Sequence, residues 1–173
     1  EYTGLRPLGS GRNLTVGLEF QGLSSSVPTH TLPGFLAVSD FQFTSPATRR
    51  MNTHGFGSKK TQAIAAARKA LTMGTVAIFA ATKTGNQGVI GLAEELISQL
   101  RRGLPLPEPA SSIREVNAVA NAAEYLSAEY GSDWTGTLAL QAGAVVHHGD
   151  LPQETREVLE ELLADGQLAL VLC

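Results

Sequence analysis

The chain has almost no thiol chemistry: of its 173 residues only Cys173 is a cysteine. One cysteine excludes an intrachain disulfide framework and leaves too few thiols for a zinc cluster, which suits a reducing compartment and an expected cytoplasmic location. An excess of positive charge is missing too. The net charge of −3 excludes coating of nucleic acid by overall charge, so any such contact has to come from a local basic strip. No apolar run approaches the roughly 18 residues of a membrane span, and the N-terminus lacks the charged-then-apolar layout of a secretory leader. A soluble protein with no membrane partner is expected. Position 1 is Glu1 rather than methionine, and Cys173 falls inside a strand-like run; both are expected to be cut ends.

Several signatures of catalysis are missing as well. Gly55-Phe56-Gly57-Ser58-Lys59-Lys60-Thr61 has the outline of a phosphate loop, but Lys59 stands where the glycine before the Lys-Thr pair is required, and no buried strand precedes it. A loop is expected there. Gly85, Gly88 and Gly91 do not make the dinucleotide fingerprint. Ser24-Ser25-Ser26 lacks the setting of a nucleophile elbow, and no Ser, His and acid combination is marked out, so no catalytic residue is expected. Adjacent His147 and His148 point opposite ways on extended backbone and have no third ligand at a recognisable spacing, so no metal is expected either.

What is present is an ordinary globular composition, 43 % apolar and 17 % charged, at a length that suits one buried domain plus an appendage. Residues 1–60 are rich in Gly, Ser, Thr and Pro. Two short stretches, Leu14-Thr15-Val16-Gly17-Leu18-Glu19-Phe20 and Phe35-Leu36-Ala37-Val38, predict a small β hairpin or meander, on an inter-domain linker or a small β segment. An Ala-rich helix over residues 62–73 leads through Gly74 into Thr75-Val76-Ala77-Ile78-Phe79-Ala80-Ala81. That continuous apolar run suits a strand covered on both faces. Next comes a helix with Val89, Ala93, Leu96, Ile97 and Leu100 on one face, ending near Gly103. Prolines 105, 107 and 109 force an extended connector. A second helix over residues 113–130 carries the stripe Val116, Val119, Ala120, Ala123 and Leu126 and closes at Gly131.

The last third is the most regular. Residues 142–146 read as a strand and His147-His148-Gly149 as the turn leaving it. Asp150 reads as an N-cap with Gln153 at the third helical position, a capping box, and Pro152 suits the first turn. Val158, Leu159, Leu162 and Leu163 make the inward face of that helix, Asp165-Gly166 stops it, and residues 168–172 form a buried strand. Strand, helices, strand, helix, strand is the order of a parallel α/β sheet with right-handed crossovers.

In such sheets ligands gather at the carboxyl ends of strands. Two places qualify. Thr82-Lys83-Thr84-Gly85-Asn86-Gln87-Gly88 offers hydroxyls, a lysine and glycines ahead of a helix whose dipole favours an anion. The same residues also make an ordinary strand-to-helix turn with a solvated lysine. The second place is His147-His148-Gly149-Asp150, where one histidine is expected to bond locally and the other to face the crevice.

Residues 75–173 resemble the second RecA-like domain of superfamily 2 helicases, in particular the DEAD/DEAH-type group. Val76-Ala77-Ile78-Phe79-Ala80-Ala81-Thr82 matches motif IV, and the match continues with Val145-Val146-His147-His148-Gly149-Asp150-Leu151-Pro152, Arg156, Glu157 and Leu163-Ala164-Asp165-Gly166. The strand ending at Cys173 looks like the one that runs into motif V. The resemblance implies a partial RecA-like domain over residues 61–173, with residues 1–60 in the position of the inter-domain link. It implies backbone contacts to single-stranded DNA or RNA from Thr82, Lys83, Thr84, His148 and Gly149, which position a strand without reading its sequence. The parent protein would be an ATP-dependent hydrolase, with ATP and Mg held between this domain and the first RecA-like domain, its intrachain partner. Motifs V and VI, the lysine loop and the acidic motif are missing from the chain, so it is expected to bind neither cofactor and to be inactive alone. A RecA-like module for protein contact, or a small phosphate-ligand enzyme, are the alternatives. The helicase reading requires the Thr-Lys turn and the histidine pair to lie side by side on one rim of a parallel sheet.

Overall fold

The computed structural model describes residues 2–8, 15–21 and 29–173; Glu1, Leu14 and the Ser24-Ser25-Ser26 run lie outside the described residues. Three strands, β1 (Tyr2–Leu8), β2 (Thr15–Gln21) and β3 (His30–Leu36), form an antiparallel sheet in sequence order. Its register slips between Val16 and Leu18, where Gly17 supplies a residue that tolerates a bulge. The sequence anticipated β2 and the end of β3 but not β1. After a single 3-10 turn (Val38–Phe41), β4 (Gln42–Thr44) and β5 (Met51–Thr53) make a two-stranded antiparallel ribbon.

Helix α1 (Lys59–Ala70) begins three residues ahead of the sequence reading because the Ser58 hydroxyl accepts the Thr61 N–H at 3.2 Å, which stabilises the first turn. Lys59, Lys60 and Thr61, read as loop, are therefore helical. Strand β6 (Val76–Ile78), helix α2 (Val89–Arg102), helix α3 (Val116–Tyr130), helix α4 (Thr135–Gln141), strand β7 (Ala144–Val146), helix α5 (Gln153–Ala164) and strand β8 (Leu170–Leu172) complete the chain. The last three strands are parallel in the order β6-β8-β7. The α/β class expected from the sequence is what the molecule has, and the flanked parallel sheet is consistent with a RecA-like fold.

Alternating strand residues feed two cores. Ala144, Val146, Leu170 and Leu172 pack with Ile64 and Ala67 of α1 and with Val89, Leu92, Ala93 and Leu96 of α2. Val145 points the other way, into a core made with Val119 and Leu126 of α3 and Leu159 and Leu162 of α5. The period of two along each strand sorts these side chains between the faces. A third cluster joins Val16, Leu36 and Phe41 to Ala65 and Ala66 of α1 and to Leu104 and Leu106 of the proline connector. Arg68, fully buried, holds that connector down: Nε donates to the Pro107 carbonyl at 2.9 Å and Nη2 to the Leu106 carbonyl at 2.7 Å. Burial pushes its guanidinium down to about 10, with Glu108 opposing the shift, so it stays charged at neutral pH.

Five further details differ from the sequence reading. Strand β6 and the two residues after it are covered on one face only: Val76, Ile78 and Ala80 pack inward, while Ala77 is exposed and Phe79 is 83 % exposed. It is an edge strand of its sheet, and the α3–α5 layer covers Val145 of β7 on the opposite face. Residues 109–112 form a separate 3-10 turn, so α3 starts at Val116 instead of 113. Val116 and Ala120, assigned to its buried stripe, are exposed, and Ala122 takes the inward position. The capping box at α5 does not form: Pro152 is the N-cap, without a side-chain cap bond, and Gln153 Nε2 donates to Glu157 Oε1 at 2.7 Å. Helix α4 was not anticipated.

Candidate functional site

All three parallel strands end on one rim. The Ala80 N–H donates to the Cys173 carbonyl at 2.6 Å, the Cys173 N–H to the Ile78 carbonyl at 2.9 Å, and the His147 N–H to the Leu172 carbonyl at 2.8 Å. The chain leaving β6 and the chain leaving β7 thus start level with each other, with Cys173 at the end of β8 between them. The sequence reading put the two loops next to each other; the intervening strand is a correction to that detail. They nevertheless meet, because Lys83 Nζ reaches Asp150 Oδ2 at 3.1 Å across the rim.

The loop carrying Thr82, Lys83 and Thr84 folds back on α2. The Val89 N–H donates to the Thr82 carbonyl at 3.0 Å and the Ile90 N–H to the Lys83 carbonyl at 3.1 Å. The Thr82 hydroxyl donates to the Thr84 carbonyl at 2.9 Å. Two glycines allow this approach: a Cβ on Gly91 would lie 2.6 Å from the Gly85 carbonyl oxygen, and one on Gly88 would meet the Thr84 carbonyl. These bonds occupy two N–H groups that a helix N-terminus would otherwise offer to an anion. The exposed groups left for a ligand are side chains, chiefly the Lys83 ammonium and Thr84.

On the other loop the histidines divide as their alternation requires. His147 Nε2 hydrogen-bonds Glu160 Oε1 of α5 at 2.8 Å. His148 stays with the rim: the Leu151 N–H donates to its carbonyl at 3.1 Å, and its Nδ1 is buried with no hydrogen-bond partner among the described residues. Burial, then the Lys83 charge, push the His148 imidazole below the ordinary histidine range; Asp150 pulls the other way and His147 adds to the lowering. Neutral imidazole, one ammonium and one carboxylate therefore share a small region. Gly149 and Asp150 are exposed beside them. Asp150 is the member the sequence could not place, since 67 residues separate it from Lys83 and its spacing to α5 suggested a cap.

The arrangement can hold a phosphate or sugar through Lys83, Thr84 and the His148–Gly149 turn. The phosphate-loop look-alike is the capped start of α1, preceded by an exposed ribbon. Among the described residues no group of three or more His, Cys, Asp or Glu side chains is placed to hold a metal ion, and no helix is long and apolar enough to cross a membrane. No protein-family model matches the chain, and no curated protein matches it.

Proposed function

We propose that the chain is part of the motor of an ATP-dependent superfamily 2 helicase or translocase. In this reading its RecA-like sheet supplies half of a track for single-stranded DNA or RNA, contacted by Thr82, Lys83, Thr84, His148 and Gly149. ATP, Mg and hydrolysis belong to the parent protein, shared with a first RecA-like domain, and a reducing cytoplasmic setting suits the lone Cys173. One observation supports this above the others: both loops leave the carboxyl rim of a single parallel sheet and are tied together by the 3.1 Å Lys83–Asp150 pair. That is where the chemistry of an open α/β sheet collects ligands.

The exposed Ala77 of β6 and Phe79 just beyond its end favour the second reading, a RecA-like protein-interaction module, because a bare apolar sheet edge suits a polypeptide partner. The two separate on binding of labelled oligothymidylate and oligouridylate, followed by anisotropy from about 50 to 200 mM salt. The track reading expects weak binding that tightens at low salt, and a salt slope reduced by about 1 in Lys83→Ala. Salt-independent binding, or an inert Lys83→Ala, discards it.

A further inference from the structure

We propose that Asp150 stands in for a phosphate at Lys83, so that a nucleic-acid backbone enters the rim by exchanging with the Asp150 carboxylate. The inference deepens the single-strand reading above and rests on it. The geometry is specific. The Asp150 carboxylate does not cap α5, whose N-cap has no side-chain bond, and is turned 3.1 Å from Lys83 Nζ instead. Both side chains stay open to solvent, 42 % exposed for Lys83 and 71 % for Asp150, so a ligand can displace one from the other without unpacking the fold. Among the described residues the pair is the hydrogen-bonded side-chain link across the rim between the loop after β6 and the loop after β7.

Carboxylate and phosphate oxygens are equivalent acceptors for an ammonium, so they compete for Lys83. A phosphate that wins leaves Asp150 unpaired next to it, and that like-charge contact opposes binding. A lone phosphate meets this opposition with a single contact. A strand meets it with several linked phosphates, which also engage Thr84 and the His148–Gly149 turn, and linkage multiplies their effect. Asp150 thereby acts as a specificity-determining residue that reserves Lys83 for polymers.

Anisotropy of a labelled oligothymidylate at about 50 mM salt tests this in the full chain, with Asp150→Asn, Lys83→Ala, the double variant, and Glu154→Gln. Glu154 is exposed in the first turn of α5, so its variant removes the same charge nearby without touching Lys83. Asp150→Asn is expected to bind about two- to fivefold tighter, the range an exposed ion pair spans. The gain should vanish when Lys83 is also Ala, and Glu154→Gln should show less than half of it. Asp150→Ser repeats the measurement with a side chain too short to reach Lys83. Unchanged or weaker binding in both Asp150 variants, or an equal gain in the Lys83→Ala background, overturns the exchange while a Lys83→Ala defect leaves the track standing. No binding by any variant overturns both.

Discussion

His148 shows how three side chains set one another's chemistry. Its folded-state value is depressed, first by burial and then by Lys83, with Asp150 partly compensating. A depressed value favours the neutral ring in the native state, and the sign follows from linkage. The associated stability is fully present above the unfolded histidine value of about 6.5 and is lost as pH falls through the lower folded value. The ring is half-buried beside solvent, so the effect on stability is small and the ring's own titration is the better readout. Followed by its imidazole NMR signals, His148 should titrate below the ordinary range in the native chain. Lys83→Ala should move the midpoint up and Asp150→Asn should move it further down. A midpoint indifferent to both substitutions would place His148 away from the ion pair. At neutral pH any contact it makes to a phosphate is then a hydrogen bond from neutral imidazole, and the positive charge on the rim is that of Lys83.

At the scale of elements, helix α2 separates two uses of glycine. At its C-terminal end Gly103 adopts φ +67, with nothing within 4 Å of where a Cβ would stand. At its N-terminal end Gly91 has ordinary helical surroundings except that the loop backbone of Gly85 and Asn86 lies where a Cβ would go. Gly103→Ala is expected to lower stability by about 1 kcal/mol, the cost of a left-handed residue, and to leave oligonucleotide affinity unchanged. Gly91→Ala forces the loop of Lys83 away from the helix and is expected to weaken oligonucleotide binding severalfold. Urea midpoints and anisotropy on the two variants check this; equal affinities would mean that the position of the loop does not matter for binding. The same helix was the most legible part of the sequence, since the three- and four-residue recurrence of Val89, Ala93 and Leu96 and the glycine stop are local signals. Helix α4 was illegible for a local reason too: Thr135, Gly136 and Thr137 are poor helix formers, and Trp134, lying over Gly136 and packed in a tilted pair with Tyr130 at 4.6 Å between ring centres, belongs to a tertiary contact. The exposed edge of β6 and the partner of Lys83 depend on strand order, which no residue spacing encodes. The rim itself was legible because the strand and turn signals at residues 75–88 and 144–150 each mark a carboxyl end.

For the whole molecule the open matter is whether residues 1–60 and 61–173 unfold together. Among the described residues the contacts between them include apolar packing, an ion pair and a buried polar cluster. Phe41, fully buried and stacked at 4.8 Å on its own segment's Phe56, shares a cluster across the boundary with Ala65, Ala66, Leu104 and Leu106. Lys69 of α1 bonds Asp40 at 2.9 Å, a half-exposed pair of minor energetic weight. Buried His54 Nε2 hydrogen-bonds Glu95 Oε1 at 2.8 Å, and Gln99 Nε2 donates to the same oxygen. Apolar burial dominates, since a fully buried Phe cut to Ala typically loses about 3–5 kcal/mol, which is comparable with the total stability of many domains. Trp134, packed among α3, α4 and α5, is remote in sequence and belongs to a different cluster from Phe41, so its fluorescence reports the far side of the molecule. A single cooperative unit requires tryptophan fluorescence and far-UV circular dichroism to share one urea midpoint, and Phe41→Ala to move both down together. If Phe41→Ala splits the curves, with fluorescence keeping its original midpoint, the N-terminal sheet is an appendage that the parallel sheet does not need. If they move together, the carboxyl rim and its Lys83–Asp150 pair depend on packing contributed from residues 1–60, and the rim cannot be studied apart from them.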